Sequence, residues 1–342
     1  MKAMILNAIT KLEENSEPLE MVDLAKPVPA DHEVLIKILA CGVCHTELDE
    51  IEGRTPPLRF PMVPGHQVVG IIESTGRKVT KLKPGDRVGV AWIFSSCGKC
   101  SFCISGQENL CTDFLATGRD VNGGYAEYMT VAESFAYLIP SVFSSSQAAP
   151  LLCAGAVGYR SLMLSGIEDG QNIGLTGFGA SAHIVLQIVK HRFSKTRIFV
   201  FARNENERIF ASELGAFWTG DTTDDAPDKL DCIIDTTPVW KPVIESLRNL
   251  KPGGRLVINA IRKEETDKNQ LLNLDFSKHL WMEKEIKSVA NVTRRDVMEF
   301  LNFAAEIPIL PEIREYKLSE ANIALSELKK SKIRGAKVLV LN

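Results

Sequence analysis

The first 150 residues contain short apolar runs separated by turn residues, a pattern that predicts a domain rich in β-strands. Residues 34–39 and 68–72 are typical of strands, and the apolar N-terminus, residues 1–9, predicts an earlier one. Residues 83–88 place Pro and Gly in a turn that leads into a further strand. We therefore expect a β-rich domain at the start of the chain.

The pattern changes near residue 150, where predicted strands begin to alternate with predicted helices. One helix is expected to begin at Ala180 and another to run through Glu213. Strands before, between and after these helices are predicted at residues 173–176, 197–201, 231–235, 255–259 and 285–290. This alternation favours a parallel, doubly wound sheet. The last part of the chain predicts a helix, a strand, a helix and a strand at 296–305, 312–316, 319–330 and 337–341.

Length and composition are typical of an ordinary globular protein with two domains. The chain has 342 residues, of which 45% are hydrophobic and 24% are charged. Its net charge of −3, from 40 basic and 43 acidic residues, gives no reason to expect nucleic acid or an anionic membrane as partner. The most apolar long run, residues 151–164, is interrupted by Arg160 and is too short to span a bilayer. Because the N-terminus has no export signal, we expect a cytoplasmic protein.

Four of the eight cysteines form one cluster with the spacing C-x2-C-x2-C-x7-C: Cys97, Cys100, Cys103 and Cys111. Short loops allow four such thiolates to surround one tetrahedral ion, and no position then remains open for a substrate. We therefore predict a structural zinc site in a lobe at residues 95–113. The alternative is an iron–sulfur cluster, although the fourth cysteine of those motifs usually follows after three residues and precedes a proline.

A second cysteine motif, C-x-x-C-H at residues 41–45, has two alternative interpretations when it is taken alone. It matches the attachment pattern of c-type haem, but that haem is attached after export and this chain shows no export signal. It also matches a thioredoxin-like redox pair, but it does not lie between the strand and the helix of a βαβ unit.

A glycine motif of the form G-x-G-x-x-A follows the strand predicted at residues 173–176 and opens the next helix: Gly177, Phe178, Gly179, Ala180, Ser181 and Ala182. Glycines allow the backbone to approach a pyrophosphate, and the helix N-terminus favours the anion. The motif predicts a dinucleotide-binding site. The next strand ends at Ala202-Arg203-Asn204 and carries no acidic residue for the adenosine ribose, so Arg203 favours NADPH over NADH. The alternative is that Arg203 is a surface residue on the first turn of the helix, and Arg208 is a second candidate for the phosphate.

Taken together, these motifs resemble the zinc-containing alcohol dehydrogenases of the medium-chain dehydrogenase/reductase superfamily. Residues 65–76 match the family pattern Gly-His-Glu-x2-Gly-x5-Gly except at one position. The resemblance extends over essentially the whole chain and includes Cys44-His45-Thr46, the cysteine lobe, residues 152–155 and the glycine motif. It implies a GroES-like catalytic domain at 1–150 and 292–342, and a Rossmann domain at 151–291, with the active site in the cleft.

The resemblance also implies roles for individual residues. Cys44, His66 and Cys153 would be the ligands of a catalytic zinc, which brings the expected zinc content to two per chain. Thr46 would hydrogen-bond the substrate alcohol and begin a proton relay, although its hydroxyl could instead cap a helix. His45 matches a position that contacts the cofactor, and Glu47 matches a carboxylate that orients a ligand imidazole. Trp92 matches an aromatic position that lines the substrate pocket. Trp92 could equally be a core residue.

Three positions depart from the family pattern. Gln67 replaces the Glu that follows the ligand His, and we expect this neutral amide to leave a more electrophilic zinc with altered ligand exchange. Asp49 stands where many members carry the His that ends the proton relay, and it is a weaker proton acceptor near neutral pH. Ala336 replaces a common Arg that holds cofactor phosphate, for which Lys337 or Arg334 could substitute.

The sequence therefore predicts a zinc-dependent alcohol dehydrogenase that transfers a hydride reversibly between a primary alcohol or aldehyde and a nicotinamide cofactor. By resemblance, the assembly would be a homodimer or homotetramer. Two alternatives stay open. One is a zinc-independent enone or quinone reductase of the same superfamily, and the other is a non-catalytic protein that binds zinc and a nucleotide.

Overall fold

The structure is a computed structural model that describes residues 1–307, 309–330 and 335–341. The chain folds as two compact units, Met1–Cys153 with Thr293–Asn342, and Ala154–Val292. The sequence analysis placed the boundaries after residues 150 and 291, which assigned Cys153 to the nucleotide-binding domain. In the structure Cys153 ends the first segment of the first unit, the unit that also contains Cys44 and His66.

The strands, in chain order, are β1 Lys2–Leu6, β2 Leu19–Asp23, β3 Glu33–Val43, β4 Val68–Thr75, β5 Arg87–Val90, β6 Ile93–Ser95, β7 Leu115–Ala116, β8 Tyr128–Ala132, β9 Ala136–Leu138, β10 Asn172–Thr176, β11 Arg197–Phe201, β12 Trp218–Gly220, β13 Leu230–Asp235, β14 Leu250–Ile258, β15 Glu285–Ser288, β16 Ile313–Lys317 and β17 Ala336–Val340. The α-helices are α1 His45–Ile51, α2 Ser101–Ile104, α3 Ser145–Pro150, α4 Ala156–Ser165, α5 Ala180–Arg192, α6 Glu205–Glu213, α7 Lys241–Leu247, α8 Arg294–Glu306 and α9 Ala321–Lys329.

The first unit is built on a mixed sheet in the order β16-β17-β3-β4-β5-β9, with β8 pairing to another part of β3. All its pairs are antiparallel except β16 with β17. The long strand β3 contributes buried aliphatic side chains to the core, among them Val34, Ile36 and Ile38. The same core includes residues of β1, β4 and α9, so the C-terminal segment completes the unit.

The second unit contains a six-stranded parallel sheet in the order β12-β11-β10-β13-β14-β15. Numbered within the unit, this is the doubly wound order 3-2-1-4-5-6 of the Rossmann fold, and it confirms the sequence prediction. The order in which successive strands are added to the sheet reverses between β10 and β13. Ligands of such sheets bind at the carboxyl edge beside this point. The glycine motif lies at the carboxyl end of β10, next to that point.

Several short elements were missed by the sequence analysis. These are the strands β2, β6, β7, β8, β9 and β12, and the helices α1, α2, α3, α4 and α7. Most are only two to seven residues long, which is too short for a periodic apolar pattern to develop. Among the described ranges 1–307, 309–330 and 335–341, no helix combines the length and hydrophobicity needed to cross a bilayer.

Helix α1 carries a carboxyl group that is buried without a polar partner. Both carboxyl oxygens of Glu50 lack a hydrogen bond to any described residue, and the side chain is 1% exposed. Burial raises the pKa of this carboxyl well above its usual range, and the nearby Glu47 adds to the effect. The folded protein therefore favours the protonated acid at this position.

We expect Glu50→Gln to stabilise the protein by an amount that grows with pH. The unfolded chain releases the Glu50 proton above pH ~4.3, whereas the folded protein retains it, so wild-type stability falls with rising pH until the raised folded-state pKa is reached. The slope is at most about 1.4 kcal/mol per pH unit. Thermal unfolding of both proteins at about pH 5 and about pH 7 tests this. An equal difference in midpoint at both values would contradict it.

Candidate metal centres and dinucleotide site

The register of two antiparallel strands brings Cys44 and His66 together. Cys41 of β3 lies opposite Val68 of β4, and one residue further the Gly42 N–H donates to the Gln67 carbonyl at 3.0 Å. Cys44 follows the end of β3 and His66 precedes the start of β4, so both lie at the same end of the pair. The Cys44 Sγ is 3.8 Å from the His66 Nε2.

The turn before His66 requires a glycine. Gly65 has a φ of +98°, and a Cβ atom there would lie 2.3 Å from the buried ring of Tyr125. Any other residue would therefore strain the backbone and displace Tyr125. The family motif that begins at Gly65 thus has a local physical reason in this chain.

Cys153 joins the same cluster from a distant part of the sequence. It lies in a π-helical turn, Leu151–Gly155, between α3 and α4, a type of irregularity that is frequent at functional sites. The Sγ atoms of Cys44 and Cys153 and a ring nitrogen of His66 all lie within 4.8 Å of one another. Two thiols and one imidazole that converge in this way are suitable ligands for zinc.

Helix α1 begins at the metal-ligand candidate itself. Cys44 is the N-cap residue, and its Sγ accepts a hydrogen bond from the Thr46 N–H at 3.4 Å. The Glu47 Oε2 accepts in turn from the Cys44 N–H at 2.8 Å and completes a capping box. The cap is therefore Cys44, and the alternative role of Thr46 as a cap is wrong.

Glu47 also holds the imidazole of His66. Its Oε1 lies 2.5 Å from the His66 Nδ1, and the two side chains are 0% and 1% exposed. A carboxylate at Nδ1 keeps the proton on that nitrogen, which directs the lone pair of Nε2 toward Cys44. The contact predicted for the Glu47 carboxylate is present in the structure.

The pKa shifts at this cluster reflect the close packing of its titratable side chains. Burial alone would lower the pKa of His66, but the nearby Glu47 and Cys44 outweigh it and raise the pKa well above its ordinary value. The hydrogen bond with Cys153, followed by burial, raises the pKa of the Cys44 thiol. A divalent cation would replace these shared protons and neutralise the thiolates.

The four-cysteine cluster also converges, with the sulfur atoms of Cys97, Cys100, Cys103 and Cys111 within 4.8 Å of one another. The Cys97 Sγ lies 3.9 Å from the Cys103 Sγ. Backbone N–H groups of Lys99 and Cys100 point at the Cys97 sulfur and lower its pKa to about 6. All eight cysteines of the chain are free thiols, and this lobe has the ligands of a closed metal site.

The predicted relay and pocket residues have different environments. His45 is exposed and Thr46 is half-buried. The Asp49 carboxylate is 4% exposed and accepts from the Arg54 Nε at 2.6 Å. Trp92 is 7% exposed and packs in the core of the first unit against Phe114, with ring centroids 5.3 Å apart.

The positions that depart from the family pattern can also be located. Gln67 is 3% exposed and fills the space beside Gly42, where a Cβ atom would lie 2.3 Å from the Gln67 Oε1. Lys337 is buried and donates to the Tyr316 hydroxyl at 2.7 Å and to Glu327 at 2.8 Å. The ammonium group of Lys337 is therefore already paired with residues of the first unit. Arg334 lies outside the described residues.

The glycine motif forms the predicted strand–turn–helix. Gly177 has a φ of +73°, and a Cβ atom there would lie 2.9 Å from Thr237. Gly179 is the N-cap of α5, where no side chain caps the helix and the space beyond its Cα is open. Ala182 is fully buried, and the Ser181 hydroxyl donates to the Ala154 carbonyl at 2.9 Å. The first N–H groups of α5, which begins at Ala180, are therefore suited to an anionic ligand.

The two arginines near the end of β11 differ in their availability. Arg203 is exposed, so its guanidinium group is accessible to a phosphate group of the cofactor. Arg208 donates to the Ala202 and Arg203 carbonyls at 2.7 and 3.1 Å and pairs with Asp221 at 3.6 Å. Arg208 therefore orders the loop, and Arg203 is the better candidate cation.

A buried ion pair at the carboxyl edge of the parallel sheet was missed by the sequence analysis. Asp235, at the end of β13, is 0% exposed and pairs with Lys263, whose side chain is 7% exposed. The Thr176 and Thr237 hydroxyls donate to the Asp235 Oδ1 at 2.5 and 2.8 Å, and Lys263 donates to the Thr237 carbonyl at 2.8 Å. The network joins the end of β10 to the end of β13 and to the loops after β13 and β14. Asp at a strand end was a visible signal, but nothing local predicted Lys263.

Comparisons with known proteins agree with this architecture. A family model described as "Alcohol dehydrogenase GroES-like domain" matches residues 30–141, in accord with the predicted GroES-like domain. A protein of Mycobacterium tuberculosis named "Probable alcohol dehydrogenase AdhA" is 41% identical over 329 residues, 95% of this chain and 93% of that protein. An alcohol dehydrogenase of Geobacillus stearothermophilus is 33% identical over 350 residues, 100% of this chain and 99% of that protein.

Solved structures show the same fold. A cinnamyl alcohol dehydrogenase of Sorghum bicolor has a TM-score of 0.84 at 26% identity and covers 99% of this chain and 97% of its own. A structure described as NAD-dependent alcohol dehydrogenase has a TM-score of 0.87 at 24% identity and covers 100% of both chains. The second likeness concerns the fold alone. Together they confirm the predicted combination of a GroES-like and a Rossmann domain.

We expect Glu47→Gln to weaken zinc binding at the three-residue cluster by about 10- to 100-fold. A Gln side chain can accept one of the two hydrogen bonds of Glu47 but not both, because its amide nitrogen is a donor. Zinc loss to a graded series of chelator concentrations measures the effect. The four-cysteine site in the same protein is the matched control and should keep its zinc. Equal loss of zinc from both sites would contradict the prediction.

We expect Lys263→Met to destabilise the second unit by about 3–5 kcal/mol, because it leaves the buried Asp235 carboxylate without its counter-charge. The double variant Lys263→Met with Asp235→Asn should recover most of that loss, since neither side chain is then charged. Urea unfolding of wild type, both single variants and the double variant gives the coupling free energy between the two side chains. A double variant no more stable than Lys263→Met would show that the charge pair is not the cause.

Proposed function

Because the chain belongs to the zinc-type medium-chain alcohol dehydrogenase family, we propose that it catalyses reversible hydride transfer between a primary alcohol or aldehyde and a nicotinamide cofactor. The observation that carries the proposal is the convergence of Cys44, His66 and Cys153 in a chain that also has a G-x-G-x-x-A loop in a Rossmann sheet. Three protein ligands leave one position of a tetrahedral zinc site open for chemistry.

Two sets of residues would hold zinc. Cys44, His66 and Cys153 would hold the catalytic ion, and the four cysteines at positions 97, 100, 103 and 111 would hold a structural one. A zinc ion with the first ligand set would act as a Lewis acid toward a substrate oxygen. The thiol and imidazole donors and the carboxylate behind His66 support this assignment.

The residues around the first set have separable tasks. Glu47 orients the His66 ring and fixes its tautomer. The Thr46 hydroxyl would take the proton of the substrate alcohol and pass it on, with Asp49 as the proposed end of the relay. The ion pair with Arg54 at 2.6 Å keeps the Asp49 side chain in place for that task. Gln67, buried beside His66, adds no negative charge to this region.

The glycine loop and the N-terminus of α5 would hold the dinucleotide pyrophosphate, with His45 as a further contact. The nicotinamide ring would accept or donate the hydride. We propose NADPH as the preferred form on the basis of Arg203, which is exposed near the end of a strand that lacks a terminal acid. NADH is the alternative. The further proposals are Trp92 as part of the substrate pocket, and a homodimer or homotetramer as the assembly.

Two other functions are less well supported. A zinc-independent enone or quinone reductase has no use for two converged ligand sets, and both sets are present in this chain. A non-catalytic zinc- and nucleotide-binding protein would not turn over any alcohol or aldehyde. The same experiment separates all three functions.

The test is aldehyde-dependent oxidation of NADPH and of NADH by protein assayed for zinc. We expect turnover with about two zinc ions per chain. Cys153→Ala should lose one zinc and all turnover, because only two ligands of the open site remain. Cys232→Ala removes a buried cysteine of β13 and should keep both zinc ions and the turnover. Two bound zinc ions without turnover on a broad panel would contradict the enzymatic proposal.

A further inference from the structure

The third residue of helix α6 behaves differently from its counterparts in three other helices. In α1, α3 and α8 the residue at this position folds back on the N-cap of its own helix and closes a capping box: Glu47, Gln147 and Asp296. In α6 the N-cap Asn204 accepts from the Asn206 N–H at 2.9 Å, and Glu207 makes no such box. Its carboxylate accepts instead from the Phe178 N–H at 3.2 Å. Glu207 is therefore directed at the glycine loop.

Packing holds this contact in place. Phe178 is the middle residue of the G-x-G motif and is 3% exposed. Its ring meets the ring of Phe210 edge-on, with centroids 5.5 Å apart. Phe210 lies three residues after Glu207, which places both on one face of α6. The face of α6 that carries Glu207 is thus packed on the loop between β10 and α5.

The position of this carboxylate bears on the choice of cofactor. In Rossmann folds an acid near the end of the second strand accepts hydrogen bonds from the adenosine ribose. That strand, β11, ends here without an acid, at Phe201 followed by Ala202 and Arg203. Glu207, in the first turn of the helix after β11, instead places a carboxylate on the loop between β10 and α5. That loop adjoins the end of β11, since the Gly177 N–H donates to the Phe201 carbonyl at 2.8 Å. A carboxylate accepts from a ribose hydroxyl but repels a 2′-phosphate.

We propose that Glu207 is a cofactor-specificity residue that binds an adenosine ribose hydroxyl and acts against a 2′-phosphate, in opposition to Arg203. The inference rests on the proposed function, since it requires a dinucleotide at the glycine loop. The preference between NADPH and NADH is then a balance of two side chains, one cationic and exposed, the other anionic and bound to the loop.

Fragments of the cofactor test this without turnover. Calorimetry on the full chain would compare 2′,5′-ADP, which carries the extra phosphate, with 5′-AMP. Glu207→Gln should raise the affinity for 2′,5′-ADP relative to that for 5′-AMP by roughly tenfold, because one negative charge beside the 2′-phosphate is removed. The Gln carbonyl can still accept from the Phe178 N–H, so the loop should remain folded. Arg203→Gln should shift the ratio in the opposite direction.

The matched control is Glu205→Gln, which removes an exposed carboxylate from the same turn of α6 and changes the net charge equally. It should leave the ratio of the affinities for 2′,5′-ADP and 5′-AMP within about twofold of wild type, as expected for a screened surface charge. Equal shifts in Glu205→Gln and Glu207→Gln, or an unchanged ratio in Glu207→Gln, would overturn the role of Glu207 alone. Failure of the wild-type chain to bind either fragment would overturn the dinucleotide proposal and this inference with it.

Steady-state kinetics supply a second readout. In Glu207→Gln the ratio of kcat/KM for NADPH to kcat/KM for NADH should rise by roughly tenfold, with the change in KM and not in kcat. A general loss of structure would lower kcat with both cofactors instead. A fall in kcat without a change in the ratio would overturn the assignment.

Discussion

The first unit depends on the two hydrogen bonds of one buried carboxylate. Glu47 accepts from the Cys44 N–H and contacts the His66 Nδ1, so it links the start of α1 to the strand pair β3–β4. A fully buried carboxylate is stable only when its oxygens are paired, and here each oxygen has a partner. The same two contacts order the helix N-terminus and orient a metal ligand, so secondary structure and site chemistry share one interaction.

The second unit uses the same principle at a different edge. Asp235 is fully buried at the end of β13 and is paired by Lys263 and by the hydroxyls of Thr176 and Thr237. The partners lie at the carboxyl edge of the parallel sheet, where dinucleotides bind, because Thr176 ends β10 and the other two follow β13 and β14. Glu50 shows the contrary case, since its oxygens are buried without partners and it therefore favours the neutral form.

Local sequence patterns were sufficient for much of the fold. The alternation of strands and helices after residue 150 predicted the doubly wound sheet, because β10, β11, β13 and β14 contain apolar runs and the helices α5 and α6 span at least nine residues. The short strands and helix α1 were missed because they contain too few residues for a period to develop. The possible cap role of Thr46 belongs to Cys44, whose thiol is not one of the usual capping groups.

The sequence by itself determined the sites whose residues are close along the chain. The spacing of the four cysteines predicts that their sulfur atoms converge, because short loops leave the backbone few alternatives. The spacing of the glycine motif likewise predicts its strand–turn–helix. Only the tertiary structure decided the direction of long side chains and the meeting of distant segments. Cys153, which only the family resemblance had linked to Cys44, meets it from a π-helical turn. Lys263 pairs with Asp235, and Glu207 accepts from the Phe178 N–H instead of closing on its own N-cap. These contacts depend on packing between elements, and no local period or spacing encodes it.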